Sequence, residues 1–168
     1  LNVIGRAEGD DAQRSEAEVV ALKRYGLPAG RKNPYLWDSP EGERFQRWNS
    51  RVSGAAAKDD YRNIFNTFGW VVEIDPFRPD STPVKRTYLG RFNHEGAWPG
   101  KFVSGVKPAW YTGDDQANDY LYKFVSSAAW TPGDANSSNR LAMGDKYLDA
   151  GTLYVAKFNA NGSGEWLP

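Results

Sequence analysis

Acidic side chains recur where the sequence predicts strands to end. Glu73 and Asp75 close a first apolar strand, His94-Glu95 follows a second, and Asp114 follows a third. Alternate strand ends of an antiparallel meander meet at one edge of a sheet, so these carboxylates would repel one another unless a cation held them. Calcium and other hard cations take several oxygen ligands. The pattern therefore favours a metal site, and the alternative is that these residues cap turns and face water.

Glu73 is the most informative of these acidic residues. It lies inside the segment Val71-Val72-Glu73-Ile74, which is otherwise apolar. Burying a carboxylate in such a strand is unfavourable unless the group is paired or bound to a metal. Because Glu73 alternates away from Trp70 and Val72, the other interpretation is a residue that points outward into solvent. The sequence alone does not choose between the two.

Two further motifs carry weaker signals. The pair His94-Glu95 joins an imidazole to a carboxylate, and Gly96 permits a sharp turn that would present the pair at a loop mouth. A structural role for this single histidine is the alternative. The run Asn159-Ala160-Asn161-Gly162-Ser163-Gly164 imitates the first half of a calcium-binding loop. Since Asn-Gly is also the favoured hairpin dipeptide, we interpret this run as a turn.

Composition excludes several classes of protein and site. The 168 residues contain no cysteine, so disulfides, thiolate metal sites and cysteine nucleophiles are absent. Lysine and arginine total 21, as do aspartate and glutamate, and this balance disfavours a nucleic-acid binder or a polybasic membrane module. No apolar run approaches the roughly 18 residues that a membrane span needs. Aromatic residues make up 14% of the chain, too many for a disordered polymer.

The first part of the chain predicts one helix followed by irregular structure. Ser15 and Glu18 have the spacing of a capping box, and Gly26 and Pro28 end the pattern, so we predict a helix over about residues 15–25. The following segment is broken by proline and glycine and carries spaced aromatic residues. We therefore assign residues 1–60 to a helix plus an irregular, aromatic-anchored segment.

The second part of the chain, residues 61–168, predicts an antiparallel meander. The predicted strands cover residues 68–74, 84–92, 109–112, 119–126 and 152–158, and a sixth begins at residue 166. Short aromatic strands separated by Gly, Pro, Asn and Asp are typical of sandwiches, barrels and propeller blades. The incomplete last strand predicts an exposed edge, which favours self-association. The fold class is thus mainly β, with one N-terminal helix.

The strand motifs also form an ordered set along most of the chain. They are Asn66-Thr67-Phe68-Gly69-Trp70-Val71-Val72-Glu73-Ile74-Asp75-Pro76, Ser81-Thr82-Pro83-Val84-Lys85-Arg86, Leu89-Gly90-Arg91-Phe92, His94-Glu95-Gly96, Tyr111-Thr112-Gly113-Asp114-Asp115, Tyr120-Leu121-Tyr122-Lys123-Phe124-Val125-Ser126 and Gly151-Thr152-Leu153-Tyr154-Val155-Ala156-Lys157-Phe158. This set resembles the central motifs of the PhoX-type alkaline phosphatases. Each motif alone is weak, whereas the order of the whole set is specific.

The resemblance implies a β-propeller-like enzyme that is exported to the bacterial periplasm or secreted. It implies hydrolysis of phosphomonoesters by a cluster of iron and calcium ions, which would polarise phosphoryl oxygens and orient a nucleophile. Carried over by motif, Glu73 is a metal ligand, to iron, and Glu95 and Asp114 match acidic metal-site positions of unassigned role. Asn93 stands where the family leads us to expect a basic residue. No catalytic residue is assigned.

Coverage is the main departure from the family, whose members are several times longer. The resemblance places a Cys-Glu-Glu motif before Leu1 and an arginine that faces phosphate beyond Pro168. We therefore expect this chain to be the middle piece of a longer protein, called the parent protein below, and expect no turnover from the piece alone. The competing interpretations are a non-enzymatic β-rich binding or structural module and a calcium-stabilised structural domain.

Overall fold

The computed structural model describes residues 4–37 and 43–168. By its internal contacts the chain forms two compact units, Leu1–Phe68 and Gly69–Pro168. The sequence-based division falls after residue 60. Residues 38–42 of the irregular segment lie outside the described residues.

The first unit is built from short helices and turns. Its helices are α1 (Glu16–Arg24) and α2 (Glu43–Gln46), and its 3-10 turns cover Asp10–Gln13 and Ile64–Thr67. The capping box at the start of α1 is confirmed, since Ser15 Oγ accepts from the Glu18 N–H and Glu18 Oε2 accepts from the Ser15 N–H. Two backbone donors that a helix start leaves unpaired are satisfied in this way.

A small apolar core and a buried ionic cluster hold the first unit together. The fully buried apolar residues are Ile4, Leu22, Leu27 and Phe65, with Trp48, Ile64 and Phe68 packed against them. Beside this core, Arg6 and Arg14 both donate to the buried carboxylate of Asp10. Of the aromatic residues in the irregular segment, Trp48 packs against this core, whereas Tyr35 and Trp37 are 62% and 41% exposed.

The second unit contains seven strands and one helix. They are β1 (Val72–Glu73), β2 (Val84–Lys85), β3 (His94–Pro99), β4 (Ala109–Asp114), β5 (Leu121–Ser126), α3 (Arg140–Leu148), β6 (Gly151–Phe158) and β7 (Gly164–Leu167). Strands β3 to β7 form one five-stranded sheet in sequence order, each antiparallel to the next. The predicted meander is confirmed. A propeller needs several such sheets, so that part of the expectation stays a prediction.

Several predicted elements were wrong in extent or missing. Strands β1 and β2 pair only with each other over two residues, instead of running over residues 68–74 and 84–92. After β2 the chain enters a 3-10 turn, Thr87–Leu89, which Gly90 ends at a φ of 89° that other residues rarely adopt. Neither β3 nor α3 was predicted, and the expectation of a single helix was therefore wrong.

The two faces of the five-stranded sheet differ. On one face Trp110 lies 6.0 Å from the buried ring of Phe124, and near it Trp130 packs against Tyr147 of α3 at 5.2 Å between ring centroids. On the other face Lys123 lies 4.5 Å from the centroid of Trp166. This alternation is the period of two that the sequence predicted for β5. Among the described residues, no helix has the length and apolar character that crossing a bilayer requires.

Candidate active-site residues

Glu73 points toward the protein interior, and its apolar neighbours point outward. On β1 its side chain is 26% exposed, whereas Val72 and Ile74 are 48% and 63% exposed. The strand therefore has the opposite orientation from the one that its apolar residues suggest. Of the two interpretations left open by the sequence, the structure agrees with a paired carboxylate and not with one that points into solvent.

The partner of Glu73 is Arg86, which is fully buried directly after β2. Its Nε group donates to Glu73 Oε2 at 2.6 Å, and its Nη2 atom forms an ion pair with the same oxygen at 2.5 Å. Its Nη1 group donates to Asp145 Oδ1 at 2.8 Å and to Asp149 Oδ2 at 2.7 Å. Burial alone lowers the pKa of Arg86, but the hydrogen bonds to Asp145 and Glu73 outweigh it and raise the pKa. Arg86 is therefore charged at any physiological pH.

Gly144 brings the backbone of α3 against this ion pair. A Cβ atom at this position would overlap both Glu73 Oε2 and Arg86 Nη2. Arg86 Nη2 also donates to the carbonyl of Leu141 at 2.9 Å, one helical turn earlier. Glycine is therefore needed at residue 144 for the close approach of the helix, and not for an unusual backbone angle.

Glu95 and Asp114 lie at the same end of the β3–β4 pair, in neighbouring register positions. His94 lies opposite Asp114, and Glu95 lies opposite Gly113. The two carboxylates border a surface pocket of about 410 Å³, to which Trp98, Tyr111 and Leu121 contribute apolar walls. Glu95 and Asp114 thus share one edge of the five-stranded sheet, while Glu73 lies in the separate two-stranded sheet, so the three acidic residues do not gather at one edge.

Both ring nitrogens of His94 form hydrogen bonds. Its Nε2 lies 3.2 Å from the Gly90 carbonyl, which can only accept, so Nε2 carries the proton and Nδ1 accepts from the Thr112 hydroxyl at 3.0 Å. The ring packs on Phe92, with centroids 3.8 Å apart. The pKa of His94 is lowered by burial. The hydrogen bond to the Gly90 carbonyl and the charge of Asp114 raise the pKa, but burial outweighs them. The expected loop-mouth location was wrong, because His94 begins strand β3.

Comparison with known proteins identifies the family of this chain. The family model for alkaline phosphatase PhoX matches residues 7–168. The chain belongs to this family. A solved structure, "Pseudomonas fluorescens PhoX in complex with vanadate, a transition state analogue", is 34% identical to the chain, with a TM-score of 0.69. The match covers 99% of this chain and 26% of that protein, so the chain spans about a quarter of its length. No curated protein matches the chain.

The PhoX family resemblance raises the question of whether these residues suit iron and calcium. Among the described residues, no group of three or more His, Cys, Asp and Glu side chains has the geometry to hold a metal ion. Suitable oxygen donors are nevertheless present. Both contacts from Arg86 go to Oε2 of Glu73, and no described residue donates to Oε1. The donor chemistry therefore fits, but the residues described in the structure do not complete a metal site by themselves.

Asp75 adds a second donor near Glu73 in sequence. Its side chain is almost fully buried, and Oδ1 accepts from the Phe77 N–H at 3.0 Å. Oδ2 is buried and accepts no hydrogen bond from the residues that the structure describes. Buried carboxylate oxygens of this kind are normally satisfied by a donor, a water or an ion. The sequence had already placed Asp75 among the acidic strand ends.

The main residue that sequence reasoning missed is Arg86. It appeared only as the last residue of a family motif, without a role. The period of two predicted a strand there but not the register that brings Arg86 to Glu73, 13 positions earlier. Asp145 and Asp149 were missed with the helix that carries them. The usable local signal for α3 was Asn139, whose side chain caps the helix by accepting from the Ala142 N–H.

Proposed function

We propose that this chain is part of a metal-dependent phosphatase that hydrolyses phosphomonoesters, and that the activity belongs to the parent protein. The observation that carries the proposal is the match to a PhoX structure at 34% identity over 99% of this chain. That relative is described in complex with vanadate as a transition state analogue. Vanadate imitates a phosphoryl group in transfer, so the reaction class proposed is a phosphoric monoester hydrolase.

In this proposal the chain supplies carboxylate ligands for iron and calcium. Glu73, Glu95 and Asp114 are the proposed ligands, with the rest of the donor set supplied by residues outside the described ones. When bound, such ions polarise phosphoryl oxygens and neutralise the charge that develops there. Glu73 is supported as a donor because it is held in one orientation while Oε1 receives no hydrogen bond from a described residue.

The propeller-like architecture and the cellular location are parts of the same proposal. A five-stranded antiparallel meander suits one sheet of a propeller, with β3 and β7 as its edges. These edges are also the proposed surfaces for self-association. Export to the bacterial periplasm or secretion is supported by the family resemblance alone. The balanced charge of the chain supports a small phosphomonoester substrate over a nucleic acid.

Hydrolysis of p-nitrophenyl phosphate by the purified parent protein tests this proposal. We expect hydrolysis that vanadate inhibits, together with bound iron and calcium by elemental analysis and visible absorbance from the iron. Glu73→Gln should lower kcat by at least about 10-fold, because it removes a charged donor oxygen. Glu165→Gln is the matched control, since Glu165 is exposed on β7 and its carboxylate forms an exposed ion pair with Lys157. A metal-free parent protein without hydrolysis would instead support the non-enzymatic β-rich module.

A further inference from the structure

Arg86 is bound by acceptors from two separate elements. The carboxylate of Glu73 comes from β1, and the carboxylates of Asp145 and Asp149 come from the second half of α3 and the residue after it. The Leu141 carbonyl of α3 accepts a further hydrogen bond. The fork of a guanidinium fixes the direction of every donor at once, so a fully buried Arg86 has a single orientation. Arg86, held in one orientation, can therefore fix the orientation of the Glu73 carboxylate.

The contact with Glu73 is one-sided. Nε of Arg86 donates to Oε2 and Nη2 forms an ion pair with the same oxygen, so both contacts use one oxygen of the carboxylate. A symmetric bidentate pair would have occupied Oε1 as well. The contacts of Arg86 with Oε2 fix the direction of Oε1, and the 26% exposure of the Glu73 side chain leaves room for another group beside it.

From this geometry we infer that Arg86 is a positioning residue, which orients the Glu73 carboxylate for the phosphatase centre and is itself held by α3. The inference rests on the proposed function, because it assigns Glu73 to that centre. Asp145 and Asp149 are four residues apart and therefore share one face of the helix, which aligns both with Nη1. Gly144, directly before Asp145, has no Cβ atom, and a Cβ there would overlap both Glu73 Oε2 and Arg86 Nη2. Helix α3 thus completes the support of Glu73 without itself providing the carboxylate.

The alternative is that the ion pair only joins α3 to the two-stranded sheet. A purely structural role predicts lower thermal stability when Arg86 changes, with the remaining folded protein as active as the wild type. A positioning role predicts lower kcat and lower metal content in protein that remains folded. Loss of the orienting partner of a metal-binding group commonly lowers metal affinity or activity by about 10- to 100-fold.

Arg86→Lys in the parent protein separates these roles. Lysine keeps the charge but lacks the planar fork that contacts Glu73, Asp145 and Asp149 at the same time. We expect kcat for p-nitrophenyl phosphate to fall about 10- to 100-fold, and bound iron and calcium to fall with it. KM should stay within about threefold, because the change affects the reaction centre and not uniform substrate binding.

Lys146→Met is the matched control. Lys146 also lies on α3, and its ion pair with Asp134 attaches the helix without touching Glu73. This variant should lower Tm while kcat and metal content stay within about twofold of the wild type. If Arg86→Lys does not fold, the double variant Asp145→Asn, Asp149→Asn replaces it. Both aspartates are partly exposed, and their loss loosens Arg86 without removing it.

One outcome would contradict the positioning role of Arg86, and another would contradict the proposed phosphatase function. An active wild-type parent whose Arg86→Lys variant retains kcat and metal content within about twofold would overturn the positioning role and leave a structural ion pair. The double aspartate variant is judged by the same two measurements. A wild-type parent without phosphomonoesterase activity would instead overturn the proposed function, and the positioning role with it.

Discussion

Asp10 holds two buried arginines in the first unit. Its Oδ2 accepts from Arg6 Nε at 3.0 Å and from Arg14 Nε, and its Oδ1 accepts from the Val52 N–H at 3.2 Å. Burial alone raises the pKa of Asp10, but the hydrogen bonds from Arg14 and Arg6 outweigh it and hold the pKa below the ordinary value of 3.8. The folded state therefore binds this proton less tightly than the unfolded state does.

Asp10→Asn should destabilise the chain and reduce its sensitivity to acid. Near pH 7 the variant should lose about 3 kcal/mol in free energy of unfolding, because it removes the carboxylate charge that two buried guanidinium groups share, although Arg6 still pairs with Asp11. In the wild type the stability from Asp10 is complete above its unfolded pKa of 3.8 and is lost as pH falls below that value. Urea unfolding of both chains near pH 7 and pH 3 should show a smaller difference at the lower pH.

Glu8→Gln is the control for this measurement, since Glu8 is an exposed acid of the same unit. It should leave the free energy of unfolding within about 0.5 kcal/mol of the wild type near pH 7. A difference between wild type and Asp10→Asn that stays constant down to pH 3 would show that the charge of Asp10 does not stabilise this unit.

Among the elements, α3 has a glycine where helix propensity alone would favour alanine. In a helix interior, Gly→Ala normally stabilises a protein by about 1 kcal/mol. At Gly144 the added methyl group would overlap Glu73 Oε2 and Arg86 Nη2. Forcing such an overlap into a packed site typically costs about 1–3 kcal/mol. The sign of the change in free energy of unfolding on Gly144→Ala therefore shows whether α3 is in close contact with the ion pair.

We expect Gly144→Ala to lower the free energy of unfolding of the chain by about 1–3 kcal/mol in urea titrations. Gly133→Ala is the matched control. Gly133 lies in the 3-10 turn Pro132–Asn136, and nothing surrounds the position of its added Cβ within 4 Å. That variant should change stability by less than about 0.5 kcal/mol. A Gly144→Ala variant more stable than the wild type would show that α3 stands clear of the pair.

The sequence predicted elements whose signals are local. Helix α1 was predicted because Ser15 and Glu18 form its capping box, and β5 because its aromatic residues alternate. Strand β3 was missed because Gly96 and Pro99 interrupt its pattern, and it exists through pairing with β4 around an irregularity between Glu95 and Trp98. Helix α3 was missed because Gly144, in its middle, weakens the helical signal.

The candidate site was predicted in part for the same reason. Glu73 was identified because a carboxylate in an apolar strand stands out locally. Its pairing with Arg86 depends on the register of β1 with β2, and that register is set over only two residue pairs. The acceptors on α3 lie about 60 positions from Arg86 along the chain. Contacts of this range come from the tertiary fold, which periodicity and spacing do not encode.

At the scale of the whole molecule, the chain covers 26% of the PhoX structure that it matches. The carboxylates proposed as ligands lie in two different sheets, Glu73 in one and Glu95 with Asp114 in the other. Hard cations need several oxygen ligands at once. The described residues supply no group of three that could hold an ion. Metal binding is therefore expected to depend on the parent protein and not on this chain.

The purified 168-residue chain should accordingly bind calcium too weakly to be stabilised by it. The stabilisation that a ligand gives to a folded protein depends on the ratio of its concentration to its Kd, and it is small when the concentration is below the Kd. We expect Tm in about 1 mM calcium to lie within about 1 °C of Tm in excess chelator, because at a Kd above 1 mM the ligand adds less than about 0.4 kcal/mol. We also expect no hydrolysis of p-nitrophenyl phosphate. A clear rise of Tm with calcium, without iron, would support the calcium-stabilised structural domain, and robust hydrolysis would show that the chain holds a complete active site.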